Sequence, residues 1–129
     1  MKTKYTVALS LLAGVSIGGL AVQKLHAQAK PPVYLISEIT IEDGKLDTYL
    51  KEYAPLAQAA IKATHGRLVA AGQATEIEGP APKMRITVNE YKSIEDAKAS
   101  RTSPEYKKAR EVGDKLAKFH AYVIPGAPQ

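Results

Sequence analysis

The sequence has 129 residues, no cysteine and a formal net charge of +5, a size that holds one domain. Without thiols it can build neither a disulfide framework nor a thiolate metal centre. Much of the basic excess belongs to the first 29 residues. Setting them aside removes Lys2, Lys4 and Lys24 and no acid, leaving 15 of the 18 basic groups against all 13 acids, a balance of +2. No later Lys/Arg cluster exceeds Lys107-Lys108 with Arg110. That pattern reads as a solvated helix face, and nucleic acid is not an expected partner.

The head Met1-Lys2-Thr3-Lys4-Tyr5 is basic, Thr6 to Val22 is uncharged and apolar, and Ala27-Gln28-Ala29 precedes Lys30-Pro31-Pro32. Basic, apolar and small-x-small in that order is the pattern of a secretory signal peptide. The expected cleavage falls between Ala29 and Lys30, releasing residues 30–129 to the periplasm or the medium. Once the segment is gone, no stable membrane association is expected. An uncleaved anchor is the alternative, since 17 uncharged residues lie at the lower edge of a membrane span, but Gly14, Gly18, Gly19, Ser10 and Ser16 dilute the run.

The run from Val33 to Ile41 is rich in β-branched residues and stops at Glu42-Asp43-Gly44, as a strand would. Asp43 is the expected cap of a helix carrying Leu46, Tyr49, Leu50, Tyr53, Ala57, Ala60, Ile61 and Thr64 on one stripe. Pro55 cannot donate to the carbonyl of Lys51, which predicts a kink or a break near Tyr53. His65-Gly66 ends the helix, with glycine as the left-handed cap. Arg67 to Ala71 reads as a second strand, with a bend or bulge at Gly72-Gln73. Lys83 to Tyr91 reads as a third. Ser93 with Asp96 opens a short helix to about Ser100. Ser103-Pro104-Glu105 opens another, with Tyr106, Ala109, Val112, Gly113 and Leu116 on its apolar side. Phe119 to Ile124 is the last strand.

The order β-α-β-β-α-β with right-handed crossovers describes a ferredoxin-like α+β fold, an antiparallel four-stranded sheet with helices on one face. Alternation assigns Val33, Leu35, Met84, Ile86, Val88, Phe119, Ala121 and Val123 to the helix side. The open face is expected to carry Tyr34, Ile36, Glu38, Arg85, Thr87, Asn89, His120, Tyr122 and Ile124. That face is too apolar to stay wet. A second copy of the chain is the expected cover, with a small organic molecule beside it.

The motif Thr102-Ser103-Pro104-Glu105-Tyr106, taken with Tyr34-Leu35-Ile36-Ser37-Glu38, resembles the DUF1330 family of the dimeric α+β barrel superfamily. Tyr49 and Tyr53, the His65-Gly66-Arg67 turn and Ser93-Ile94-Glu95-Asp96-Ala97 extend the likeness over about residues 33 to 124. It implies two subunits packed sheet to sheet, with a small cleft between sheet and helices or at the interface. Three positions depart from the family: a single glycine, Gly66, follows the helix-ending histidine, Ala71 replaces a basic residue before Gly72, and Ser100 or Arg101 replaces an aromatic.

Glu38 is the foremost candidate for chemistry, because burial raises a carboxyl pKa towards that of a base. The competing reading is an ion pair with Arg85, or a hydrogen bond at a dimer interface. His120 and Tyr122 alternate onto the same face and could complete a Glu-His-Tyr cluster. A one-residue slip in register would send both to the other face. Tyr34, Glu38, Arg85, Asn89, His120 and Tyr122 form the candidate ligand set. His65 reads as a partner of the helix dipole. No metal-ligand spacing, phosphate loop or nucleophile elbow is present, and no cofactor is expected. Three functions compete: an exported homodimer that binds a small ligand, a cofactor-free enzyme of monooxygenase or isomerase type using Glu38 and His120, and a purely structural dimer. The enzyme reading is analogy at the level of fold.

Overall fold

Four strands form a single antiparallel sheet in the order β2-β3-β1-β4: β1 Val33–Ile41, β2 Arg67–Gln73, β3 Arg85–Tyr91 and β4 Ala117–Pro125. The structure is a computed structural model and describes residues 30–129; the expected signal segment, residues 1–29 with its end at Ala29, lies outside them. The helical segments are α1 Leu46–Thr48, a π-helical turn Tyr49–Tyr53, α2 Ala54–Ala63, α3 Ile94–Thr102 and α4 Pro104–Gly113. The expected β-α-β-β-α-β order and sheet are present. Among the described residues no helix is long and apolar enough to cross a membrane.

Pro55 neither breaks nor ends the first helix. The preceding turn widens instead, so that the Ala54 N–H donates to the Tyr49 carbonyl five residues back. This π register absorbs the donor that proline lacks. It also leaves Tyr49 and Tyr53 both buried, with ring centroids 5.0 Å apart. The helix starts later than expected: Lys45, not Asp43, holds the N-cap position, without a side-chain cap. Where Ser caps were expected they form, Ser93 Oγ accepting from the Asp96 N–H and Ser103 Oγ from the Tyr106 N–H.

The turn after α2 reverses an expectation. His65, with φ 64°, takes the left-handed position, and Gly66 does not. Gly66 is required for another reason, since a Cβ there would sit 2.5 Å from the Tyr91 ring and 2.7 Å from Ile61. The irregularity in β2 falls between Leu68 and Ala70 and not at Gly72.

The larger correction concerns β3. In antiparallel pairing, opposed residues share a face. Leu35 opposes Asn89, Ser37 opposes Thr87 and Ile39 opposes Arg85, while Val33, Leu35, Ser37 and Ile39 are all buried beneath the helices. Arg85, Thr87 and Asn89 are therefore on the helix side, and Ile86 and Val88 are on the open face, the reverse of the expectation for this strand. Tyr91 decides the phase: it is 1 % exposed and packs with Val33, Leu35, Ile61 and Ala97. Burying so large a ring outweighs the exposure of two aliphatic residues. For β4 the expectation holds, with His120 opposite Glu38, Tyr122 opposite Ile36 and Ile124 opposite Tyr34 on the open face.

Candidate functional site

The six candidate residues do not form one group. Tyr34, Glu38, His120 and Tyr122 lie on the open face, whereas Arg85 and Asn89 point beneath the helices. The expected Glu38–Arg85 ion pair is thereby ruled out. Glu38 Oε2 instead meets His120 Nδ1 at 2.9 Å, and the His120 ring stands 5.5 Å from that of Tyr122. The Glu-His-Tyr cluster exists, but on a bare sheet surface. The His120 side chain is 74 % exposed, and at that exposure an ion pair adds about 1 kcal/mol or less.

A half-enclosed recess lies on the other side. Along β1 the inward residues are Val33, Leu35, Ser37 and Ile39, so one small hydroxyl interrupts an apolar row. The buried apolar residues correspondingly form two clusters. Val33 and Leu35 belong to one; Ile39, Tyr49, Tyr53, Ala57 and Ala109 belong to the other. Beside Ser37 is a cavity of about 50 Å³ walled by Ile39, Ala57, Ile61, Phe119 and the rings of Tyr49, Tyr53 and Tyr106. Its polar lining is Ser37, Gln58, Arg85, Thr87, Asn89 and Arg101, with no Asp or Glu.

The two arginines are held differently. Arg101 donates from Nη2 to Ser37 Oγ at 2.9 Å and stacks over the Tyr106 ring at 4.3 Å. Arg85 is at the start of β3 and approaches Tyr49, where its charge opposes the larger effect of burial on the phenol. Burial pushes Tyr49 up to about 12 and raises Tyr53 further, the latter also through its neighbour Tyr106. Both phenols therefore stay protonated and able to donate at any ordinary pH. The hydroxyls of Tyr53 and Tyr106 are 3.4 Å apart.

Three polar atoms of this lining are buried with no partner among the described residues: Arg85 Nε, Arg101 Nε and Asn89 Oδ1. Orphaned buried groups are scarce in folded proteins and costly, about 1–3 kcal/mol each. Arg101 was not a candidate from the sequence; the one available signal was that Ser100 or Arg101 stands where the resemblance expected an aromatic. No group of residues suited to holding a metal ion occurs among the described residues.

A four-stranded antiparallel sheet in this order, backed on one side by helices, defines a ferredoxin-like α+β domain. The family match is equally direct: the profile of the domain of unknown function DUF1330 covers residues 32–127, and the chain belongs to that family. No curated protein matches the sequence. Solved structures share the fold. The RPA0582 protein of unknown function from Rhodopseudomonas palustris is 13 % identical, covering 84 % of this chain and 93 % of that one with a TM-score of 0.60. SnoaB, a cofactor-independent oxygenase from Streptomyces nogalater, is 10 % identical over 77 % and 96 %, with a TM-score of 0.56. A dimeric protein of unknown function with a ferredoxin-like fold from Bacteroides fragilis is 12 % identical over 74 % and 96 %, with a TM-score of 0.52. At these identities the likeness speaks for fold alone.

Proposed function

We propose that the protein is an exported homodimer that binds a small organic molecule in the cleft between sheet and helices. The observation that carries this is a recess whose lining residues Arg85, Arg101 and Asn89 each hold a buried polar atom without a partner. A few precisely held polar groups in an apolar recess is the usual composition of a small-molecule site. Dimerisation is supported by the open face, where Tyr34, Ile36, Ile86, Val88, Tyr122 and Ile124 share one surface, and by the dimeric relative in fold. Export is supported by the order of the first 29 residues, basic, apolar and then small-x-small.

A second reading keeps one observation of its own. The 2.9 Å contact of Glu38 with His120 is an acid–base pair at hydrogen-bonding distance, as proton transfer requires. Covered by a partner subunit, it could serve a cofactor-free reaction like that of the oxygenase among the fold relatives.

A crystal structure of residues 30–129 without added ligand tests both. Two copies packed sheet to sheet, with unexplained density beside Ser37 and Arg101, supports the binding reading. Density next to Glu38 and His120 favours the enzyme. Ordered water alone at both places leaves a structural dimer and contradicts the proposal.

A further inference from the structure

The cleft carries two guanidinium groups and no carboxylate in its lining. Among the described residues, ion pairs join Arg67 to Glu90, Arg110 to Asp114 and His120 to Glu38, and none involves Arg85 or Arg101. An uncompensated charge is expensive in a half-enclosed, apolar setting, and two of the same sign in one recess are more so. Most buried cations escape this cost by pairing with an acid of the same chain. Here the chain supplies none, although Arg101 is positioned with some care, fixed at one end by Ser37 and flat against Tyr106.

We infer that the cleft's ligand is a short-chain organic carboxylate, its anionic end clamped between Arg85 and Arg101 and its carbon end against Ile39, Ala57 and Phe119. This rests on the reading of the cleft as a binding site and adds the ligand's chemical class.

The planar fork of a guanidinium matches the two oxygens of a carboxylate, and both arginines line the cleft without a carboxylate partner. Protonated Tyr49 adds a neutral donor near Arg85. Asn89 fits the same anion. Its Oδ1 has no donor as it stands, so nothing holds the carboxamide in that sense, and turned end for end it offers Nδ2–H to the ligand.

Size and wall composition select among anions. A water needs about 10–15 Å³ of such space, so about 50 Å³ admits a molecule of about three to five non-hydrogen atoms. Sulfate or phosphate would fit by volume. An oxyanion that is polar on every side would, however, turn oxygens towards Ile39, Ala57 and Phe119, where none can be satisfied. A carboxylate with a short alkyl tail has one polar end and one apolar end, as the cleft does.

The test is a titration of residues 30–129 with propionate, propionamide, sulfate and a set of neutral fragments, followed by NMR of the arginine Nε–H groups. Propionate should shift the Arg85 and Arg101 signals, with propionamide at least about tenfold weaker, as expected for loss of a charge-assisted pair. Arg101→Met should cost at least about tenfold in propionate affinity while the circular-dichroism spectrum stays that of the unaltered protein. If that variant does not fold, the contrast between propionate and its amide in the unaltered protein decides the matter. Equal binding of propionamide, or of sulfate, would overturn the carboxylate and leave the binding site standing. If none of these probes moves a cleft signal, the binding reading itself fails.

Discussion

Strand β3 gives the two faces of the sheet the reverse of the polarity that their positions would suggest, whereas β1 and β4 keep the usual arrangement. The side covered by helices carries Arg85, Thr87, Asn89 and Ser37, and the side the chain leaves bare carries Ile36, Ile86, Val88, Tyr122 and Ile124. An ordinary two-layer domain buries its apolar face and wets its polar one. The inversion is concentrated in β3 and has a physical reading on each side. Aliphatic residues on a bare face need a cover from outside the chain. Polar residues beneath the helices leave part of their hydrogen-bonding capacity unused, which the proposed ligand would take up.

This contrast can be broken from the open side with the largest effect. Ile36 opposes Val88 on one strand and Tyr122 on the other, at the middle of that face. Ile36→Asp should weaken self-association by at least about a hundredfold, because a buried unpaired carboxylate at the centre of an interface is heavily penalised. Sedimentation should then show a single subunit that keeps its circular-dichroism spectrum.

From the cleft side the lever is alkali. A phenol whose folded pKa is raised contributes stability that is complete below its unfolded value and is lost as pH climbs towards the folded one. For Tyr49 that window runs from 10.0 to about 12, with burial as the main cause. Tyr53 shifts in the same direction. Urea midpoints should hold steady up to about pH 10 and then fall by the equivalent of about 2 kcal/mol or more. A flat profile through that range would mean that the tyrosines are wet and the cleft is open.

The phase of β3 itself can be tested at Gly66. Adding a methyl group there would press on the Tyr91 ring at 2.5 Å. Gly66→Ala should cost about 1–3 kcal/mol, read as a lower melting temperature. A neutral result would show that Tyr91 is not the anchor that turns Arg85 and Asn89 inward. Smallest of all, Glu38→Gln should change stability by about 1 kcal/mol or less, because its partner His120 is largely exposed.

Much of this architecture was legible in the chain. The serine caps at Ser93 and Ser103 and the helical stripe through Tyr49, Tyr53, Ala57 and Ile61 are local chemistry, and local chemistry is written in adjacent residues. The faces of β1 and β4 were also readable, since each has a clear apolar side. β3 was not. Its residues alternate between polar and aliphatic until Tyr91, and the rule that aliphatic residues face the core fails where polar side chains line a recess under the helices. Only the burial of Tyr91 breaks the tie, and that depends on Gly66 and Ile61, far away in sequence. The cleft was hidden for the same reason, because Ser37, Asn89 and Arg101 come from three elements and meet only through the register of the sheet.

Light scattering on residues 30–129 at micromolar concentration measures most directly whether the bare face is an interface. The mass of two chains is the predicted result. The mass of one chain, with the Ile36 and Val88 face open to water, would contradict the account of both faces together.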